Sequence, residues 1–452
     1  MNASSRRRFL VSLGVAASAS VAGCTGDSAP DPTEPSAVES PYDLSVRHDI
    51  DAWDRYDPDW QPPETAPTEA TIGTETIVEN LEVPWDMEFA ANGDFFVSER
   101  VGRISRYEAG ELASVTEAEG VIDHADSLAE GGFDWWGGGS EGGLLGIALH
   151  PNYPGVPVLY AFYTYEAGGD EYRNRLVYYD LEDDYDETVL IDGVPGHRII
   201  HNGARLAFGP QNYLWVTTGD ADLTERAADP GSLAGKVLRL EPDGTPPADA
   251  PGFDDPRVHS YGHRNPQGIA WLPDGTPLAT EHGPAARDEV NVIEAGENYG
   301  WPSVRSAPGD DDYEAYVDRE DVVAPLVHTG TAETWAPCGC VFYTGDAVPA
   351  LRNRLLVGGL ASQRLNVVSV YESTPPDIGG KRHDGDWLDP TFDAVSHGLF
   401  EHDLGRIRHV EQGPDGELYA VTSNRDGRSD RPTEDAFPRQ SDDRLVRIVQ
   451  SE

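Results

Sequence analysis

Lysine is nearly missing from this sequence. Of 33 basic residues in 452, only Lys236 and Lys381 are lysines and the rest are arginines. Against them stand 80 Asp and Glu residues, leaving a formal net charge of −47. A chain so short of cations cannot neutralise a phosphate backbone, which excludes non-specific nucleic-acid binding. The same shortage argues against docking by charge on an anionic membrane face. Cysteine is scarce too, with three in the chain. Cys338 and Cys340 cannot by themselves complete a structural zinc site; lying in an apolar run, they read as buried inert thiols, with a disulfide as the alternative in an exported protein. No 3.6-residue apolar period is sustained, which excludes a helical solenoid. Phosphate-loop and zinc-helix motifs are absent, and the Gly-Gly-Ser-Glu-Gly run at 138–142 fits a hydrolase elbow by letter without the strand–turn–helix setting.

What is present points to a packed β protein. The chain is 38% apolar and 9% aromatic, enough for a core, so its acidity does not mean global disorder. Its 48 glycines and 35 prolines suit many short strands joined by turns. The excess of carboxylates reads as a halophilic surface, kept hydrated and screened by concentrated salt.

The first residues read as an address. Arg6, Arg7 and Arg8 precede Phe9-Leu10 and an apolar run to residue 23, then Cys24. A charged start, a short apolar stretch and small residues before a cut site define a secretory signal. The paired arginines resemble a twin-arginine export signal, and Val21-Ala22-Gly23-Cys24 resembles a lipobox whose Cys24 becomes the lipid anchor. Residues 1–24 are therefore expected to be removed or lipidated on export to the cell surface. Residues 25–72, rich in Pro, Thr, Asp, Glu and Ser, are expected to form a disordered linker.

From residue 86 one pattern recurs six times: an apolar strand, a polar turn and a second apolar strand. The second turn residue falls at Asn92, Asn152, Gln211, Asp274, Gly345 and Asp415, at intervals of 60, 59, 63, 71 and 70 residues. Pro-Asp-Gly and Asn-Gly between alternating hydrophobics are hairpin chemistry. Most copies are followed by a third strand-like run, and the loops can supply a fourth. Four-stranded units repeated radially make a propeller. Residues 73–452 are thus expected to be an all-β, six-bladed β-propeller with four-stranded antiparallel blades, its ring closed by a strand near 74–79.

Sites in such a fold lie where loops of successive blades meet over the central channel. His201 leads into the third copy and Asp220 closes its next strand, so one hairpin brings both to the same end; a carboxylate there can orient an imidazole as general base. Tyr261-Gly262-His263-Arg264-Asn265-Pro266-Gln267-Gly268 enters the fourth copy, where Arg264 offers a planar fork for a carboxylate or a staple for the loop's backbone carbonyls. Arg406 and Arg408 enter the sixth on one side of a strand, suiting a bound anion or a local carboxylate. Between them, Glu281-His282-Gly283-Pro284 followed by Asp288-Glu289 makes a corner whose carbonyls are compatible with calcium.

Together the segments LEVPWDMEF, EGGLLGIALHPNY, HNGARLAFGP with TTGD, GKVLRLEPDG, GHRNPQG, EHGP with DEVNVIEAGENYGWP, and GRIRHVEQGPDGELY resemble, in order, the quinoprotein glucose and aldose sugar dehydrogenases. The resemblance spans about residues 75–450 and implies a six-bladed propeller using pyrroloquinoline quinone (PQQ) and calcium. It implies His201 as catalytic base, with Asp220 orienting it. Arg264, Asn265, Arg406 and Arg408 would bind the cofactor, the carbonyls of Gly283 and Pro284 would bind calcium, and Glu141 would contact substrate. The implied reaction takes an aldose to its aldonolactone and hands electrons to an external acceptor. Two features depart from the glucose enzymes: a lysine after the fifth-blade strand has no counterpart at 359–363, with Arg364 the nearest substitute, and Trp335 is offset from their aromatic pair. The alternative is a non-catalytic binding propeller resembling hedgehog-interacting proteins, which would have no need for His201 and the arginines together.

Overall fold

The computed structural model describes residues 32–108, 110–122, 140–169, 171–183, 185–428 and 437–451. Six antiparallel blades make up the ring. Their innermost strands are Pro84–Phe89, Leu144–Leu149, Gly203–Phe208, Pro266–Trp271, Pro337–Tyr343 and Ile407–Gln412. Each turns back into a second strand through the hairpin expected of it. In the first and fourth, Asn92 and Asp274 accept from the backbone N–H two residues on (3.0 and 2.8 Å), and Gly93 and Gly275 take φ of 89° and 93°, the Asx-turn geometry that reverses a chain tightly. Blade 5 carries a fifth strand, Lys381–His383, on Asp393–Leu399. Strand Ile72–Val78 pairs with Leu445–Gln450, from Ile72 opposite Gln450 to Val78 opposite Leu445, so the two ends of the domain share blade 6 and close the ring.

Alternation places one face of every blade against its neighbour. Between blades 2 and 3, Tyr160, Phe162 and Leu176 pack with Leu206, Val216 and Leu238. Leu278 and Val290 of blade 4 meet Phe342, Leu355 and Val368 of blade 5. Each such side chain stabilises by about 1.5–3 kcal/mol when fully removed from water. At the hub the inner strands approach so closely that side chains are excluded: a Cβ on Gly339 would fall 2.0 Å from His409 Nδ1, and one on Gly268 would fall 2.4 Å from the Cys338 carbonyl. Cys338 and Cys340 are free, buried thiols. Cys338 Sγ donates to the Ile407 carbonyl (3.0 Å), and burial pushes Cys340 up to about 12.

Residues 32–71 depart from the expectation of a disordered linker. They form a strap along the face of the ring where the Asn92-type turns lie. Tyr42 bonds Asp180 of blade 2 (3.0 Å) and the Leu44 carbonyl meets His150 Nε2 (3.2 Å). Asn212 of blade 3 donates to the Val46 carbonyl (2.9 Å), Asp57 N to Pro273 O of blade 4 (2.9 Å), and Asn353 of blade 5 to Gln61 O (2.8 Å). Trp60 packs edge-on against Phe342 at 5.2 Å. Trp53, Asp54 and Arg55 cross the mouth of the central channel and roof a cavity of about 270 Å³ lined by Glu88, Cys340 and Glu411. A few apolar anchors spread over separate blades hold the strap without giving it any period. Among the described residues no helix is long and apolar enough to cross a membrane.

Candidate functional site

The opposite end of the channel gathers most of the residues singled out from sequence. His201 stands just before the inner strand of blade 3, and Asp220 just after its partner Leu214–Thr218. Gly203 pairs with Thr218, so the hairpin brings them together as expected: His201 Nδ1 lies 2.7 Å from Asp220 Oδ1. Trp301 donates Nε1–H to Asp220 Oδ2 at 2.7 Å. The Asp220 side chain is fully buried, while the imidazole keeps 12% exposure. A buried carboxylate held at both oxygens fixes the ring, and with Nδ1–H pointed at Asp220 the lone pair is left on Nε2. His201 has a left-handed backbone (φ 57°), an uncommon choice for a residue with a side chain.

Arg264 and Asn265 enter blade 4 beside this pair. The Arg264 guanidinium lies 5.4 Å over Trp301 and donates to the His282 carbonyl (3.3 Å); burial holds it below the ordinary arginine range. Its backbone N–H is anchored by Glu281 (2.7 Å), a carboxylate sealed in an ion pair with Arg305 and bonded to His263. Asn265 accepts from Gly203 N (3.0 Å) and donates towards Glu141 (3.4 Å). On blade 6, Arg406 and Arg408 share a side as the alternation requires. Both reach Asp426, at 2.7 and 3.6 Å. Arg408 also donates to Gln267 (2.9 Å) and lies 4.2 Å over Trp85. The local carboxylate is thus present, and two cations answer it.

Glu141 lies among these groups, 5% exposed. Burial pushes its carboxyl up, but the Arg428 guanidinium, then His282, His201 and Arg408, outweigh this and bring it down to about 2. Counting the groups in electrostatic contact here, the six guanidiniums of Arg100, Arg264, Arg305, Arg406, Arg408 and Arg428 outnumber the four carboxylates of Glu141, Asp220, Glu281 and Asp426. Arg264 Nε, Arg408 Nε, Trp85 Nε1 and His282 Nε2 are buried without a hydrogen-bond partner among the described residues. Buried donors are costly to leave unpaired, so the cluster fits a flat anionic group rich in oxygen.

Gly283 and Pro284 form a corner next to His282. Asp288 holds it from behind, accepting from Gly283 N (2.9 Å) at one oxygen and from Trp335 N (2.6 Å) and Ala336 N (2.9 Å) at the other. A Cβ at Gly283 would lie 2.0 Å from the Arg287 carbonyl, so only glycine fits. The Pro284 carbonyl accepts from Arg287 Nη1 at 3.2 Å and keeps a second lone pair. Glu289, like Glu281, is bound to Arg305. Among the described residues no group of three or more His, Cys, Asp or Glu is placed to hold a metal; a cation here would rest on backbone carbonyls and on oxygens brought by a ligand. The Arg364 and Trp335 side chains both donate to Glu333, at 2.5 and 3.0 Å.

Sequence reasoning named Gln267 within the 261–268 run without giving it a role, and did not single out Trp301, Asp426 or Arg428. Trp301 lies inside a quoted motif, GENYGWP, and could have been found there. Asp426 and Arg428 follow the last repeated hairpin and carry no spacing signal.

This chain belongs to the glucose/sorbosone dehydrogenase family, whose model matches residues 81–431. It is 29% identical over 375 residues to an aldose sugar dehydrogenase of Escherichia coli, covering 79% of this chain and 92% of that one. With quinoprotein glucose dehydrogenase B of Acinetobacter calcoaceticus it shares 31% identity over 270 residues, 52% of this chain and 54% of the relative. The PQQ-bound structure of aldose sugar dehydrogenase from Streptomyces coelicolor superposes with a TM-score of 0.65 at 29% identity, covering 86% of this chain and all of that one.

Proposed function

We propose that this protein oxidises aldose sugars at the anomeric carbon with PQQ as cofactor, yielding aldonolactones and passing electrons to an external acceptor. The observation that carries the reading is the His201–Asp220–Trp301 chain of hydrogen bonds opening beside buried guanidinium donors that outnumber carboxylates. Arg264, Asn265, Arg406 and Arg408 would hold the tricarboxylate cofactor, and the carbonyls of Gly283 and Pro284 would ligate calcium, a cation that accepts such oxygens. When bound, the quinone would accept hydride and the metal would act as a Lewis acid.

The chain's own part is proton transfer and positioning. Asp220 keeps the proton of His201 on Nδ1, so Nε2 takes the proton of the sugar's anomeric hydroxyl. The buried carboxylate then stabilises the imidazolium, and the Trp301 bond keeps Asp220 from turning away. Partial exposure of the imidazole lets that proton leave to solvent.

Purified protein supplied with PQQ and calcium in high salt should reduce a redox dye when given aldoses. In His201→Ala, cofactor absorbance should remain while turnover falls about 10²–10⁴-fold, the range for losing a general base; full turnover in that variant would remove His201 from its role. We read residues 1–24, outside the described residues, as a twin-arginine signal ending in a lipobox. Cys24 would then anchor the enzyme outside the cytoplasmic membrane, and the net charge of −47 would suit concentrated salt.

A further inference from the structure

Glu141 was expected to touch substrate, yet protein donors take up its carboxylate. Oε2 accepts from His201 N (2.8 Å), Asn265 Nδ2 (3.4 Å) and Gln267 Nε2 (3.4 Å), and Oε1 from Arg428 Nη1 (3.1 Å). With about two acceptor positions on each oxygen, Oε2 is filled by its three donors and Oε1 keeps one position beside Arg428. The shortest of the bonds goes to the backbone of His201, the residue with φ 57°, and fastens a conformation that an L-residue does not adopt cheaply. Arg428 braces the same spot twice. Its Nη2 donates to the Ile199 carbonyl (3.1 Å), the carbonyl that also accepts from Glu141 N (3.0 Å). Arg428 is itself set by Asp426, which accepts from its backbone N–H at Oδ1 (3.0 Å) while holding Arg406 at Oδ2 (2.7 Å). One turn of blade 6 thus ties the anion-binding arginines to the imidazole across the channel.

We propose that Glu141 and Arg428 form a positioning pair that sets the His201 ring for proton transfer, and that Glu141 is not a sugar ligand. The inference rests on His201 being the base of the proposed oxidation. In the full chain loaded with PQQ and calcium, Glu141→Gln should lower kcat about 10–100-fold, the scale of misplacing a reacting group by about 1 Å, with the sugar KM changed less than about twofold. Arg428→Ala should lower kcat similarly, Arg428→Lys should recover part of it, and the double variant should be no slower than Glu141→Gln alone. A raised KM with kcat intact would make Glu141 a substrate contact and overturn the proposal, as would losses that multiply in the double variant. If the unmodified protein reduces no dye, the proposed sugar oxidation fails, and the pair is then decided on thermal midpoints of the cofactor-free unmodified protein, the two single variants Glu141→Gln and Arg428→Ala, and the double variant. Shifts that do not add keep the pair; shifts that add remove it.

Discussion

The two mouths of the central channel are built from the same inner strands and hold opposite charge. At the mouth with His201, guanidinium groups outnumber carboxylates and bring Glu141 down to about 2. At the other, Glu88 is held well above the ordinary carboxylate value, first by burial and then by the neighbouring carboxylates Glu411 and Asp86. Between them Asp86 bridges Arg205 and His409, the latter at 3.3 Å, a paired layer that separates the two potentials. The first mouth keeps orphaned donors; the second is roofed by Trp53, Asp54 and Arg55. In a chain carrying −47, positive potential has to be made by placing arginines together, and among the described residues this end of the channel gathers such a group.

The largest effect should come from erasing that contrast at the arginine end. Arg406→Ala with Arg408→Ala strips the buried Asp426 of both its salt-bridge partners. Of the guanidiniums that hold this carboxyl low against its burial, Arg428 then remains. Breaking such a pair costs about 3–5 kcal/mol of stability, and PQQ should bind at least about 100-fold more weakly, close to 3 kcal/mol. Arg408→Met alone keeps the Arg406–Asp426 pair and separates the two losses. A fluorescence titration with PQQ that matched the unmodified protein would reject the anion site.

The roofed mouth offers a test that depends on no cofactor. Removing residues 32–65 takes away Trp60, Trp53 and the bonds to blades 2, 3, 4 and 5. The midpoint of thermal unfolding should fall, with Trp60→Ala alone costing about 2 kcal/mol for a part-buried aromatic. Cys340 lines the cavity beneath the strap and reports its opening: a thiol reagent should modify it at least about tenfold faster in the truncated protein. An unchanged rate would mean that the strap does not seal the channel.

The same contrast explains what could be read from sequence. Blade count, the third strand of each blade and the closing strand were legible because turn residues and alternating apolar residues repeat. His201 and Asp220 were legible because one hairpin must bring its two ends together. The strap was not, since Tyr42, Leu44, Trp53 and Trp60 each anchor singly to a different part of the ring and no spacing announces them. Arg428 meets Glu141 across 287 residues, a pairing made by ring closure and by nothing local. Glu141 was found, but its type alone could not say whether its four contacts are protein or sugar.

The finest test of the two potentials is how stability follows pH at the two glutamates. A carboxyl lowered on folding adds stability above its ordinary value of about 4.3 and loses it as pH falls through the folded value. For Glu141 that loss runs down towards pH 2, and the difference between about 2 and 4.3 corresponds to about 3 kcal/mol at neutral pH. Glu88, raised on folding, has the reverse sign: its contribution is complete below about 4.3 and fades as pH rises through its folded value. Glu88→Gln, which imitates the protonated acid, should therefore flatten the alkaline fall of the thermal midpoint and leave the acid limb alone. Glu141→Gln should lower the midpoint at neutral pH and flatten the acid limb instead. Because Glu88 remains partly open to the cavity under the strap, water screens part of its effect. Its change with rising pH should therefore be smaller than burial alone would give. If both variants shifted the same limb, the two ends of the channel would share one potential and the arginines would not be what divides them.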